Sequence, residues 1–199
     1  MRRPRNGLFD VLAPAYDLFA RGYGLSRALQ ALEPLSGLRL VDVGGGTGRL
    51  AALGAARNAR AVVADSSTGM LARAAGKGLP AVRARAERLP LGSGTVDRVA
   101  IVDAFHHMED LYRIAREVAR VLRPGGWAVL FEPDPERFAG RWVACFERWA
   151  GMGSLILPGA SLAGLFADAG LETTVHRTPF HLLVVARKPT PGRHGAAVG

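Results

Sequence analysis

Short apolar runs alternate with helix-like segments along most of the chain, and this alternation restricts the fold more than any other feature. Segments with helix character separate the runs; the clearest is 110–122, whose apolar residues recur on one helical face. A chain that alternates in this way forms a parallel sheet with helices on both faces. The apolar runs with strand character are 38–43, 61–64, 81–84, 96–102 and 127–131.

Two further apolar runs, 171–175 and 180–186, are joined by a connection too short for a parallel crossover, so we expect them to pair antiparallel. The predicted fold is therefore α/β: a Rossmann-like, doubly wound, mostly parallel seven-stranded sheet with an antiparallel last strand and helices on both faces. We predict a single core over residues 36–188, with residues 1–35 as an N-terminal helical lid and 189–199 as a flexible tail.

Charge and cysteine content limit the expected compartment and partners. Lys and Arg number 26 against 17 acidic residues, which gives a net charge of +9. Such a charge attracts anions, including nucleic acid and anionic lipid. The alternative is that the arginines are scattered over the surface and only solvated. Cys145 is the single cysteine, so no disulfide framework forms within the chain and a cytoplasmic location is the default. The longest uncharged run, 149–167, is broken by glycines and Pro158, and we expect no membrane span.

A glycine-rich loop closes the first predicted strand and opens a helix. Its glycines, Gly44, Gly46 and Gly48, follow the spacing G-x-G-x-G, whereas a dinucleotide loop, G-x-G-x-x-G, would place a glycine where Arg49 stands. No Gly-Lys-Ser/Thr sequence for phosphate is present, and the acid Asp42 beside the loop suits a ligand with a cationic end. The loop either lets such a ligand approach the backbone or only packs a strand on a helix.

Asp65 ends the second predicted strand, 21 residues after Gly44. A carboxylate at that place can accept hydrogen bonds from both hydroxyls of a ribose. It can also cap the following helix, as Ser66 and Ser67 can. Together with the glycine loop, Asp65 favours a nucleoside ligand that lacks phosphates and carries a positive charge.

Six motifs in a fixed order carry a resemblance to a known family. The chain resembles the class I S-adenosylmethionine-dependent methyltransferases, and within them the small-molecule branch that includes the ubiquinone/menaquinone-biosynthesis methyltransferases. The resemblance covers roughly residues 9–188. Its motifs are A-x-x-Y-D at 13–17, the glycine loop at 41–48, D-S-S-T-G-M-L at 65–71, A-E-R-L-P-L at 86–91, D-A-F-H-H-M-E-D at 103–110 and L-R-P-G-G at 122–126.

The resemblance implies that the chain binds S-adenosylmethionine and releases S-adenosylhomocysteine. By resemblance, the glycines and Asp42 serve the methionine part, Asp65 holds the ribose, and Asp103 lies under the methionine part. Tyr16 is expected to fold over the site as part of the lid, although a plain core aromatic is the alternative. The residues implied to bind the cofactor are Tyr16, Asp42, Gly44, Gly46, Asp65, Ser66, Met70, Ala86, Glu87 and Asp103.

One residue departs from the family pattern, which often has an acid just before the Ala86-Glu87 pair. Arg85 stands there, and a guanidinium cannot accept the amino proton of adenine. Either Glu87 does so, or Arg85 stacks or points away.

Catalysis by methyl transfer requires a base only when the acceptor loses a proton. His106 and His107 follow the fourth strand, where an acceptor is expected, so either one is a candidate base, with a structural role as the alternative. We expect no metal site, because no cluster of thiol or carboxylate ligands completes a set with these histidines.

The preferred function is methylation of a small, apolar or aromatic metabolite. An RNA or protein methyltransferase that uses the +9 surface and a non-catalytic S-adenosylmethionine-binding protein are the alternatives; Arg49 disfavours an NAD-dependent oxidoreductase. We expect a small-molecule acceptor, no stable nucleic-acid complex, no transmembrane segment, and a monomer or a homodimer.

Overall fold

The computed structural model describes residues 23–137 and 155–191. The predicted helix at 138–150, residues 1–22 of the predicted lid and residues 192–199 of the predicted tail lie outside these ranges. The helices are α1 Tyr23–Leu32, α2 Arg49–Ala55, α3 Thr68–Gly76, α4 Leu111–Val121 and α5 Gly159–Asp168, with a 3-10 turn at Phe105–His107. The strands are β1 Arg39–Val43, β2 Arg60–Asp65, β3 Ala81–Arg83, β4 Val96–Val102, β5 Leu122–Pro133, β6 Glu172–Arg177 and β7 His181–Arg187.

The seven strands form one sheet in the order β3-β2-β1-β4-β5-β7-β6. Neighbours from β3 to β5 pair in parallel, and β7 lies antiparallel to both β5 and β6. This arrangement confirms the predicted doubly wound sheet with an antiparallel last strand. The strand order reverses between β1 and β4, so a crevice opens at the carboxyl ends of these two strands.

Helices cover both faces of the sheet and bury two apolar layers. One layer contains Ile114 and Val118 of α4 together with Phe166 of α5, and all three are fully buried. The other contains Leu29 of α1 and Leu50 of α2. Since both sheet faces are covered, the central strands are apolar on both sides, as continuous apolar runs predict.

Helix α1 packs on the sheet instead of standing apart from it. Arg98 of β4 donates from Nε to the carbonyl of Leu32 at 2.8 Å, and its guanidinium lies 3.1 Å from the ring centroid of Trp127. Trp127 Nε1 in turn donates to the carbonyl of Ala31 at 2.9 Å. Carbonyls at the end of α1 thus find donors on β4 and β5, which fixes the helix across the sheet.

Strand β5 begins earlier than the sequence predicts. Helix α4 ends at Val121, before the Pro124-Gly125-Gly126 sequence that was expected to end it, and the backbone from Leu122 onward is already extended. Val96 pairs with Leu122 and Arg98 with Trp127, so a bulge between these pairs absorbs the extra residues.

In the part of the chain that the structure describes, no helix is both long enough and apolar enough to cross a membrane.

Candidate active site

The glycine loop between β1 and α2 forms one rim of the crevice. Gly44 and Gly46 have φ of +67° and +55°, a region that L side chains rarely adopt. A Cβ on Gly44 would lie 2.8 Å from the Cβ of Ala104 and 2.9 Å from the Cε of Met108, so only glycine permits this approach. Gly48 has a different task, because a Cβ there would lie 2.5 Å from Leu79 in the core.

The carboxylate of Asp65 joins this loop to the end of β2. Its Oδ2 accepts a hydrogen bond from the backbone N–H of Gly46 at 2.9 Å, and its Oδ1 accepts one from the N–H of Ser67 at 2.8 Å. The cap of α3 is Ser67, whose Oγ accepts from the N–H of Met70 at 3.1 Å. Each carboxylate oxygen has two lone pairs, so Asp65 can bond these amides and still accept from a ligand hydroxyl.

Most of the predicted cofactor residues meet in one cleft. Asp42 is not among its lining residues, and Tyr16 lies outside the described residues. His107, Met108 and Glu109 also line the cleft. The predicted cofactor residues that line it are Gly44, Gly46, Asp65, Ser66, Met70, Ala86, Glu87 and Asp103.

Asp42 lies beneath the glycine loop. Its side chain is 2% exposed, its Oδ2 accepts from the N–H of Ala51 at 3.2 Å, and a Cβ on Gly45 would lie 2.4 Å from its Cγ. Burial raises the pKa of Asp42 to about 7, against the lowering effect of the Ala51 hydrogen bond and with a further rise from the nearby Asp65 charge. Asp42 therefore supports the loop from below, and its predicted role in ordering the cofactor stays a prediction.

The cleft is acidic although the chain carries a net charge of +9. Four carboxylates line it, from Asp65, Glu87, Asp103 and Glu109, against the single guanidinium of Arg85. With His107 neutral, these side chains sum to a formal charge of −3, four negative and one positive. Such a lining attracts a cationic ligand and repels phosphates.

Arg85 lines the cleft and pairs with two acidic side chains that also line it. Its Nη2 lies 2.7 Å from Oε2 of Glu109, and its Nε lies 3.3 Å from Oε2 of Glu87. These two partners raise the pKa of Arg85, Glu87 more than Glu109. The sequence left open whether Arg85 stacks or points away; in the structure it pairs with Glu87 and joins the loop after β3 to the segment after β4.

The two candidate histidines have different environments. His106 is 4% exposed, its Nδ1 bonds Oε2 of the buried Glu132, and it is not among the residues that line the cleft. His107 lines the cleft, and its ring centroid lies 4.0 Å from that of His106. The other oxygen of Glu132 accepts from the N–H groups of Ala104 and Phe105 at 3.1 and 2.9 Å.

Glu132 therefore fixes the 3-10 turn that presents His107 to the cleft. The base role of either histidine stays a prediction, and burial favours His107 over His106.

Several lining residues were not predicted to bind the cofactor. Ser67, Met108 and Glu109 fall inside quoted motifs, and their positions beside assigned residues were the available signal. Ala64 and Ala84 lie at the ends of neighbouring strands and leave room in the cleft. Within the described ranges, no group of three or more His, Cys, Asp and Glu side chains is arranged to hold a metal ion.

The cleft fits an adenosyl cofactor with a cationic end. Main-chain atoms of Gly44 and Gly46 are open to it at one rim, and Asp65 offers acceptor oxygens for ribose hydroxyls. Ala86 and Met70 contribute apolar lining that suits contact with a purine. The negative lining suits a sulfonium and an ammonium group.

Comparisons with known proteins agree with this geometry. Residues 41–130 match the family model described as "Methyltransferase domain". The ubiquinone/menaquinone biosynthesis C-methyltransferase UbiE of Rubrivivax gelatinosus is 34% identical over 129 residues, which cover 60% of this chain and 51% of that protein. A demethylmenaquinone methyltransferase of Mycolicibacterium gilvum is 34% identical over 132 residues, 63% of this chain and 58% of that protein.

The chain thus matches little more than half the length of these two relatives. Among solved structures, a putative methyltransferase of Haloferax volcanii, in complex with the Trm112 methyltransferase activator, superimposes with a TM-score of 0.80. It is 21% identical, and the match covers 95% of this chain and 100% of that one, which supports the fold alone. With a methyltransferase family match over residues 41–130, the chain resembles the class I S-adenosylmethionine-dependent methyltransferases of the ubiquinone/menaquinone branch.

Proposed function

We propose that this protein transfers a methyl group from S-adenosylmethionine to a small, apolar or aromatic acceptor of the quinol type. The acidic lining of the cleft carries the cofactor part of the proposal, since it opposes the charge of the whole chain. A pyrophosphate would meet four carboxylates there, whereas a sulfonium cation would be attracted.

The cofactor, when bound, supplies an electrophilic methyl group on a positively charged sulfur. The chain supplies binding and orientation. Gly44 and Gly46 let the ligand approach the backbone, and Asp65 fixes both the loop and the ribose end. Holding two reactants in line contributes about 7–11 kcal/mol to such a reaction, so rigid placement is the main task of these residues.

The acceptor side supports an apolar or aromatic substrate. Two large apolar side chains, Leu155 and Phe180, are 56% and 50% exposed. The N–H of Leu155 donates to the carbonyl of His106 at 2.9 Å, and Phe180 directly precedes β7 at the same edge of the sheet. The relatives named above act in ubiquinone and menaquinone biosynthesis by their names, which makes a hydroxylated aromatic ring the first acceptor to test.

The cleft gives less support to the two alternatives, an RNA or protein methyltransferase and a non-catalytic cofactor-binding protein. A negative lining does not favour entry of an RNA backbone, although basic surface elsewhere could still bind one. A non-catalytic cofactor-binding protein would need no acceptor site. The oligomeric state, a monomer or a homodimer, stays a prediction.

A methyl-transfer assay tests the proposal. The purified protein is incubated with methyl-labelled S-adenosylmethionine and, separately, a short-chain demethylmenaquinol kept reduced, catechol, an aromatic amine and bulk RNA. We expect label in a hydroxylated aromatic acceptor and none in RNA. The variant Asp65→Ala should lose this activity, whereas Asp168→Ala, which changes an exposed carboxylate at the end of α5, should retain it.

Label found only in RNA or in protein would contradict the acceptor class. Cofactor binding without transfer to any acceptor would favour the non-catalytic alternative.

A further inference from the structure

His181 lies at the cleft edge of the sheet, although the sequence patterns did not single it out. It is the first residue of β7 and pairs with Pro133 at the end of β5. Since β7 runs antiparallel to β5, its start lies at the edge where the parallel strands end. This edge of an open α/β sheet is where ligands bind.

The backbone of His181 is held by a closed turn. Its N–H donates to Oγ1 of Thr178 at 2.9 Å, and its carbonyl accepts from the N–H and the Oγ1 of Thr178, both at 2.8 Å. The ring stacks on Phe131 with centroids 4.6 Å apart and an interplanar angle of 23°. The direction of the imidazole is therefore fixed before any ligand binds.

His181 faces Asp103, one of the residues that line the cofactor cleft. Its Nε2 lies 3.9 Å from Oδ1 of Asp103, which lines the cleft, whereas His181 itself does not. Asp103 has a φ of +49°, a strained value for a residue other than glycine, and its N–H donates to the carbonyl of Phe131 at 2.8 Å. Asp103 thus stands between the cofactor cleft on one side and His181 on the other.

The imidazole of His181 has an unmet hydrogen-bonding group, which is unusual for a residue with a purely structural role. Its Nδ1 is buried and has no hydrogen-bond partner among the described residues. An unpaired buried polar atom destabilises a fold, so packing alone would favour a phenylalanine here. A buried polar atom without a partner is typical of a functional or strained site.

We propose that His181 is the proton-accepting residue of the acceptor site, where its Nε2 binds and deprotonates a hydroxyl group on the aromatic methyl acceptor. This inference rests on the proposed function and assigns to His181 the base role for which His106 and His107 were the sequence candidates. His107 lies on the cofactor side of Asp103, whereas His181 lies beyond it, over β5 and β7.

The proton balance of the step is complete. The O–H bond of the acceptor breaks, its proton goes to Nε2, and the electron pair left on oxygen activates that oxygen, or a ring carbon conjugated to it, toward the methyl group. One positive charge leaves the methyl donor and one forms on the imidazole. The carboxylate of Asp103, at 3.9 Å, stabilises this new charge.

The charged groups around His181 are consistent with a neutral resting ring. Burial lowers the pKa of His181, and the charge of Glu132 raises it by a smaller amount. Asp103 faces the ring from the end of β4, while Asp134 and Arg177, on the neighbouring strand ends, pair with each other at 3.3 Å. A neutral imidazole accepts a proton at neutral pH, and a nearby carboxylate makes Nε2 the better acceptor.

Binding of two matched probes tests this role without any need for turnover. 1-Naphthol carries the hydroxyl group, and 1-methoxynaphthalene lacks the donor. Each is titrated calorimetrically into protein saturated with S-adenosylhomocysteine. The variants are His181→Phe, which keeps the aromatic stack on Phe131, and the control His176→Phe, which changes an exposed histidine on β6.

We expect the wild type and His176→Phe to bind 1-naphthol about fivefold more tightly than the methoxy probe, as one hydrogen bond predicts. His181→Phe should bind both probes equally, and its affinity for S-adenosylhomocysteine should match the wild type. Its thermal midpoint should equal or exceed that of the wild type, because the unpaired Nδ1 is gone. On the best acceptor from the methyl-transfer assay, turnover should fall about 100-fold.

A hydroxyl preference that survives in His181→Phe, or no binding of 1-naphthol to the wild type, would overturn the inference. Failure of the wild type to bind S-adenosylhomocysteine would instead overturn the proposed function, so the two failures are distinguishable.

Discussion

The buried carboxyl group of Asp42 makes the stability of the protein depend on pH in an unusual direction. Its pKa is about 7 in the folded protein and 3.8 in the unfolded chain. The folded state therefore binds more protons than the unfolded state between these values, and stability falls as pH rises through them. The full difference of about three pKa units corresponds to about 4 kcal/mol, and roughly 3 kcal/mol of it is lost between pH 5 and pH 8.

The variant Asp42→Asn removes this titration and keeps an oxygen that can accept from the N–H of Ala51. Urea unfolding of the ligand-free protein at several pH values measures the effect. Relative to the wild type, we expect the variant to gain stability steadily from pH 5 to pH 8. The control Asp168→Asn, at an exposed carboxylate, should parallel the wild type. Parallel curves for Asp42→Asn and the wild type would refute the raised pKa.

Three further variants test contacts around the cleft and the sheet. Glu132→Ala should lower the free energy of unfolding by about 3 kcal/mol, because His106 and two backbone N–H groups lose their buried acceptor. Glu132→Gln should lower it less, and equal losses in the two variants would contradict this explanation. Arg98→Ala should lower the free energy of unfolding by about 2 kcal/mol, because it leaves the carbonyl of Leu32 unpaired. An unchanged free energy in denaturant unfolding would contradict this expectation. Arg85→Gln should leave stability within about 1 kcal/mol, because the pair is exposed. It should raise the preference for S-adenosylmethionine over its neutral-sulfur product roughly two- to threefold at low salt, measured by calorimetry, and a lowered preference would count against the electrostatic account.

The mostly parallel sheet and its antiparallel last strand could be predicted because the signals are local and repeated. Apolar runs such as 96–102 are long enough to identify a buried strand, and the short link between β6 and β7 leaves only antiparallel pairing for these two strands. The start of β5 at Leu122 could not be predicted. Its Pro-Gly-Gly sequence suggests a turn, whereas pairing with β4 through a bulge and backbone hydrogen bonds of Gly125 and Gly126 with Lys188 hold it in the sheet.

Most of the predicted cofactor residues line one cleft, since they lie in contiguous motifs, and their binding roles stay predictions. The burial of Asp42 could not be predicted, because it depends on how closely Gly45 packs over it. The pairing of Arg85 could not be predicted either, because Glu109 lies on a different segment that only the fold brings to it. His181 was missed because its neighbours Asp103 and Phe131 are distant in sequence and meet it only through strand pairing.

The central claim is that the cleft between the glycine loop and Asp65 binds a cationic, phosphate-free adenosyl ligand. Calorimetric titration of the wild type with S-adenosylmethionine, S-adenosylhomocysteine and NAD tests it most directly. We predict binding of the first two, loss of both in Asp65→Ala, and no detectable binding of NAD. Tighter binding of NAD than of either adenosyl compound, or unchanged dissociation constants in Asp65→Ala, would contradict the account.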